Sequence, residues 1–286
     1  MRSLILLLAL NFAFSVPSAF AQDDNENLPA YLRDRGTGIP TSMFGTYVNK
    51  GEFLIYPFYE FYMDKNAEYA PDEVGFDEDE DFRGKARAHE YLIFLAYGAT
   101  DKLSIEFEAA YYITATQWRS DDDYTAMPDK VNQSGTGDIQ MQLNYSWAKE
   151  TDTRPEFFSY GEIVFPNNGH LGLIGTEDYE FKVGSGLIRG LPWGTLSIRA
   201  AVEYSKAESK MEPGEIAVEY LKRVNKHLRL YLGFEGAQDE IECITEAQVL
   251  LGRNVFLKIN NAFGVTSKAA GWAPEIGIMC ALPTGY

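Results

Sequence analysis

The chain is poor in basic residues, in cysteine and in histidine. Twenty-five Lys and Arg stand against 42 Asp and Glu, a formal net charge of −17 over 286 residues. A nucleic-acid partner is excluded on charge, because phosphates demand a net basic face. With 2 Cys there is no disulfide scaffold, and with 3 His no pair of ligands falls at metal-binding spacing. Beyond the first twenty or so residues, no apolar run reaches the roughly 18 residues of a membrane-spanning helix.

The one long apolar run opens the chain. Met1-Arg2, the stretch Leu4–Phe14 and the Ala-x-Ala ending at Ala21 form a secretory signal peptide, residues 1–21, expected to be cut before Gln22. The protein is therefore expected to leave the cytoplasm.

The mature chain reads in period two. In Leu103–Ile113 the odd positions are apolar, while the even ones begin Ser104, Glu106, Glu108. The same alternation runs through 139–147, 196–204 and 228–235, with weaker copies at 53–62, 86–97, 156–165, 179–188, 215–222, 241–251, 255–265 and 273–282. That makes about twelve strands of roughly 9 to 13 residues, the length a tilted strand needs to cross a bilayer. The connections alternate too: tight at 100–102, 149–153, 191–194, 225–227 and 252–254, long and polar at 63–83, 116–133 and 166–178. These features predict an all-β fold, a transmembrane antiparallel up-and-down β-barrel of about twelve strands over residues 51–286, with both termini periplasmic. A secreted β-sandwich also alternates, but its strands average about 5 to 6 residues. Aromatics at strand ends, such as Tyr145, Trp147, Phe157, Tyr59, Tyr111 and Trp272, add the expected interfacial girdles.

Several segments resemble a known family. Arg35–Tyr47, Lys50–Glu60, Gly135–Ile139 and Arg154–Tyr160 look like parts of outer-membrane transporters grouped with the meta-pathway phenol-degradation proteins. The resemblance covers most of the mature chain and rests on structural motifs. It implies a barrel without a cofactor and loosely links it to aromatic-compound uptake. At the C-terminus, Leu282 is followed by Pro283-Thr284-Gly285-Tyr286, so the closing signal expected by the barrel-assembly machinery is shifted.

A charge on the lipid face costs about 2 to 4 kcal/mol near the midplane, so the polar phase must line the lumen. That phase holds Glu60, Glu90, Glu106, Glu108, Glu162, Lys182, Arg199, Glu203, Arg229, Glu235, Glu246 and Lys258, with the bases confined to later strands. One wall is thus expected to be acidic and the opposite wall mixed. A water-filled lumen of this kind attracts cations; if the four bases pair with glutamates, the interior is instead a solid polar network. The expected function is an outer-membrane channel for passive passage of small solutes, hydrophobic or aromatic ones included. The alternative is an occluded structural or surface-interaction barrel with acidic loops.

Residues 22–50 read either as a periplasmic linker or as a lumen plug that sets Arg33 and Arg35 against the acidic wall. The acidic loop 63–83 lacks the Gly and Glu of a helix–loop–helix calcium site, since the sixth and twelfth positions from Asp77 are Phe82 and Ala88. Expected partners are outer-membrane lipid, lipopolysaccharide, a small solute and the assembly machinery; no metal, cofactor or enzyme activity is expected. His170, His89 and His227 sit in no nucleophile motif. Cys243 and Cys280 fall on strands separated by a third, too far apart for a disulfide, as lipid-facing hydrophobes.

Overall fold

The computed structural model describes residues 27–76, 80–207, 209–237, 240–252 and 254–284. The signal-peptide segment 1–21, Asp77 to Asp79 of the acidic loop, Arg253 and Tyr286 lie outside these. Strands run β1 (Ile39–Pro40), β2 (Tyr47–Val48), β3 (Glu52–Tyr69), β4 (Phe82–Gly98), β5 (Leu103–Trp118), β6 (Lys130–Gly135), β7 (Ile139–Ala148) and β8 (Glu156–Phe165). They continue with β9 (Glu180–Leu191), β10 (Gly194–Ser205), β11 (Lys210–Asn225), β12 (Leu228–Ala237), β13 (Glu240–Gly252), β14 (Val255–Gly264) and β15 (Ala273–Pro283). Among the described residues no helix is long and apolar enough to cross a membrane.

Twelve strands, β3 to β5 and β7 to β15, form a closed antiparallel barrel; β15 returns to β3 with Glu275 opposite Glu60 and Leu282 opposite Phe53. Closure removes every edge, which is what lets a sheet satisfy its backbone in lipid. Each of the twelve alternating segments in the sequence is one of these strands. Four run well past what the periodicity indicates: β3 reaches Tyr69, β4 begins at Phe82, β5 ends at Trp118 and β11 spans Lys210–Asn225 where the alternation marks 215–222. The short β6 pairs only with the far half of β5, from Ile113↔Gly135 to Trp118↔Lys130, inside what reads as a loop.

The outward surface is apolar. Ile105, Leu143, Val183, Leu187, Ile198, Val202, Ile216, Leu232, Ile259 and Ile276 are all exposed there, far more contiguous apolar area than a water-facing protein tolerates. Aromatic pairs mark its two borders: Tyr145–Trp147 and Trp193–Tyr220 at the short-turn rim, Phe61–Trp272 and Phe165–Tyr179 at the long-loop rim. Cys243 and Cys280 are free and half-buried on outward positions of β13 and β15, with β14 between them.

One sequence expectation is corrected here. The register of β4 and β5 slips at Tyr91↔Tyr112 and Leu92↔Ala110, a bulge that turns both Tyr111 and Tyr112 outward. Beyond it the phase inverts, so Ile113, read from the sequence as lipid-facing, is buried on the inner side with Ala115 and Gln117.

Candidate functional site: the barrel interior

The β1–β2 hairpin and the residues flanking it, from Asp34 to Val48, lie inside the barrel. The hairpin turns through Gly45 at φ 56°, a left-handed conformation that suits glycine. The hairpin tip reaches both walls. Ser42 donates its N–H and its hydroxyl to Glu106 of β5 at 2.9 and 2.7 Å. Across the lumen, the Phe44 carbonyl accepts from Gln248 of β13 at 3.0 Å and from Lys258 of β14 at 3.2 Å, and the Phe44 ring stacks on Tyr231 of β12.

Nearer the short-turn rim, Arg35 forms ion pairs with Glu150 and Glu156 at 3.1 and 2.7 Å, all three side chains being at most 1% exposed. Asp34 accepts the Arg223 N–H at 2.8 Å and faces Lys222 at 3.3 Å. Gly190 on β9 gives the backbone room to pass, for a Cβ there would sit 1.8 Å from the Tyr31 carbonyl oxygen. Arg33 behaves differently: its Nε donates to the Leu28 carbonyl at an exposed position. Of the two arginines, Arg35 alone meets carboxylates.

The wall formed by β3, β4 and β15 is divided by height. In the short-turn half, the inner faces of β3, β4 and β15 carry Leu54, Tyr56, Phe58, Leu92, Phe94, Ala96, Met279 and Ala281, packed with Ile39 and Val48 of the hairpin into one buried cluster. The inner phase there is apolar because a second layer of the same chain covers it. Carboxylates begin above: Glu60 stands directly between Glu90 and Glu275 in one transverse row, while Glu108 of β5 lies opposite Phe94 at the edge of the apolar cluster. Like charges opposite one another repel. Glu275 is anchored by the Tyr56 hydroxyl, whereas no cation lies within ion-pair distance of Glu60, Glu90 or Glu108 among the described residues.

The far wall carries the bases. Lys182 faces Glu162 at 3.4 Å and Glu203 at 3.3 Å; Arg199 binds Glu215 at 2.6 Å, Glu235 at 2.7 Å and Glu219 at 3.1 Å. Lys258 pairs with Glu246 at 3.3 Å, and Arg229 lies over the Phe256 ring, 5.3 Å from its centroid. Sequence reasoning missed Glu215, which a register shift in β10–β11 between Ala200 and Val202 brings to Arg199, and it missed the inward aromatics Tyr56, Phe58, Tyr160 and Tyr231. The signal for Tyr56 and Phe58 was present: the run Phe53–Phe58 is apolar on both phases, as a strand covered on both faces must be.

Two cavities flank the hairpin. One of about 410 Å³ opens at the long-loop end beside Tyr62, Asp64, Lys182, Glu235 and Glu242. Another of about 530 Å³ opens at the short-turn end beside Arg35, Ile39, Val48, Lys149 and Glu156. At the long-loop rim, burial acts to raise the Asp123 carboxyl, but hydrogen bonds from Thr125 and Tyr69 outweigh it and hold it below the usual carboxylate range. The His89 Nδ1 bonds the Tyr59 hydroxyl at 2.8 Å.

No family model matches the chain, and no curated protein matches it. Solved structures do. An outer-membrane channel from Pseudomonas putida F1 superposes with a TM-score of 0.57 at 12% identity, covering 85% of this chain and 99% of that one. The translocator domain of the autotransporter NalP from Neisseria meningitidis (TM-score 0.43, 10% identity, 81% and 88% covered) is more distant. So is the Ralstonia pickettii toluene transporter TbuX (TM-score 0.42, 9% identity, 82% and 89% covered). The chain has the fold of an outer-membrane β-barrel, and its closed, apolar outer surface places it in that membrane.

Proposed function

We propose that the chain is a passive outer-membrane channel for small solutes, stoppered from within by its own residues 22–50. In this reading the short-turn rim and both termini face the periplasm, the long loops face outward, and the assembly machinery inserts the barrel with β15 closing on β3. The observation that carries it is the hairpin tip hydrogen-bonded to opposite walls, to Glu106 on one side and to Gln248 and Lys258 on the other, with open space above and below. Apart from the Lys50↔Gly98 bridge where it enters β3, the segment is held by side-chain contacts and joined to no sheet but its own β1–β2 pair, so it can leave without breaking the barrel ladder.

Solute character depends on the side chains along the route. Glu60, Glu90 and Glu108 favour cations over anions. The aromatic inner face of Tyr56, Phe58 and Phe94, uncovered when the hairpin leaves, suits hydrophobic or aromatic molecules. A second reading, an occluded barrel with structural or surface roles, draws on Arg199, whose three carboxylates fill part of the lumen. Planar-bilayer recording of the refolded mature protein under a salt gradient separates them: discrete steps with cation preference support the channel, and silence in every variant that frees the hairpin supports the occluded barrel.

A further inference from the structure

We infer that the outward face of β4, β5 and β6, just beyond the aromatic border of the long-loop rim, binds the phosphorylated glucosamine headgroup of lipopolysaccharide. The inference rests on the reading that this rim faces outward. Lys85 and Arg87 occupy successive outward positions of β4, the intervening Ala86 and the following Ala88 pointing to the other face. Trp118 of β5 lies opposite Lys85 on one side and opposite Lys130 of β6 on the other, and Arg87 lies opposite Thr116. The Arg87 guanidinium and the Lys130 ammonium both sit over the Trp118 ring, 5.6 and 5.4 Å from its centroid. Lys85, Arg87 and Lys130 are exposed.

Charge is what singles this patch out. In a chain of net charge −17, the other cations at this rim are matched apart from the solitary Lys65 of β3: Arg83 and Lys268 with Glu68, Arg119 with Asp129, Lys206 with Asp178. No carboxylate lies within ion-pair distance of Lys85, Arg87 or Lys130 among the described residues. Three unmatched cations on one outward face call for an anion that arrives from the side.

Height names that anion. His89, the next outward position along β4 after Arg87, packs against Tyr59 and Phe61 in the aromatic border. Two residues of strand rise about 6.6 Å and a barrel strand tilts by roughly 40°, so Arg87 and Lys85 stand about 5 and 10 Å above that border. This is the layer of lipid phosphates. A guanidinium fork and two ammoniums can hold a phosphate pair, and Trp118 supplies a flat apolar floor for the sugar.

The test is native mass spectrometry of the full mature protein in detergent with added bisphosphorylated lipid A. Wild type should retain one lipid A; K85Q/R87Q/K130Q should bind about 100-fold more weakly, at about fivefold per cation lost near an anionic surface. The charge-keeping K85R/R87K/K130R should bind like wild type, and dephosphorylated lipid A should bind wild type as weakly as lipid A binds the glutamine variant. Heat-modified gel mobility confirms that each variant folds. Equal retention by the glutamine variant, equal retention of dephosphorylated lipid A, or a protein dimer lost in that variant would each overturn the inference. Ala126→Cys labelling by an impermeant maleimide separates the two levels. Labelling on intact cells with unchanged lipid binding overturns the site alone; labelling only after outer-membrane rupture overturns the orientation and the site together.

Discussion

Ser42 gives both its backbone N–H and its hydroxyl to one carboxylate oxygen of Glu106, at 2.9 and 2.7 Å. Glu106 is itself 2% exposed and also takes the Asn144 amide, so β5 and β7 hold the hairpin tip from one side. Hydrogen bonds to a charged acceptor contribute about 1.5 to 3 kcal/mol each. Glu106→Ala is therefore expected to raise the open fraction in single-channel records about 10- to 100-fold, and Ser42→Ala, which keeps the N–H bond, by less. Unchanged records for both would disconnect this contact from gating.

Gly190 offers a steric route to the same end. An alanine methyl there would sit 1.8 Å from the Tyr31 carbonyl oxygen, a distance only backbone displacement can relieve. Gly190→Ala should loosen the N-terminal segment without touching any charge, making it sensitive to added protease while the barrel stays resistant. Identical digestion patterns for variant and wild type would count against the packing described.

Arg35 bridges two buried glutamates, each of which keeps a second, more exposed cation: Lys149 at 3.1 Å from Glu156 and Arg189 at 3.4 Å from Glu150. Removing one partner of a buried ion pair costs about 3 to 5 kcal/mol when the other charge is stranded, and these two cations bring the cost below that range. Arg35→Met should lower the denaturant midpoint or release the segment, whereas Arg33→Met, at an exposed position, should stay within about 0.5 kcal/mol of wild type. Equal effects of the two substitutions would refute the distinction.

Selectivity should follow the uncompensated carboxylates. Glu60→Gln with Glu90→Gln removes charge from the row that Glu275 completes, so the reversal potential in a salt gradient should move toward zero in a variant with the hairpin freed. Glu162→Gln should move it less, since Lys182 already neutralises that site at 3.4 Å. The opposite ranking would mean that the route runs along the basic wall.

Much of this architecture was legible in the sequence because lipid imposes a strict rule: Ile198 and Val202 must face out while Arg199 and Glu203 face in, and period two records it. Legibility failed where a second physical constraint acted. The bulge at Tyr111 and Tyr112 has no signature in hydropathy, since both residues are aromatic, so the inversion that buries Ile113 was invisible. The apolar half of the inner wall was not foreseen because alternation shows which face is apolar but not that Ile39 and Val48, in the segment ahead of β3, cover the other one. The extension of β4 back to Phe82 was hidden by Arg83 and Lys85, which look like a loop and stand on the outward face.

The central claim is that residues 22–50 stopper an otherwise conducting barrel. Deleting residues 23–48 and recording the refolded barrel in a planar bilayer tests it most directly, with heat-modified mobility confirming closure. The account predicts that the deletion raises conductance well above that of the full mature chain, with cation preference in a salt gradient. A folded deletion variant with the same conductance as the full mature chain would contradict it.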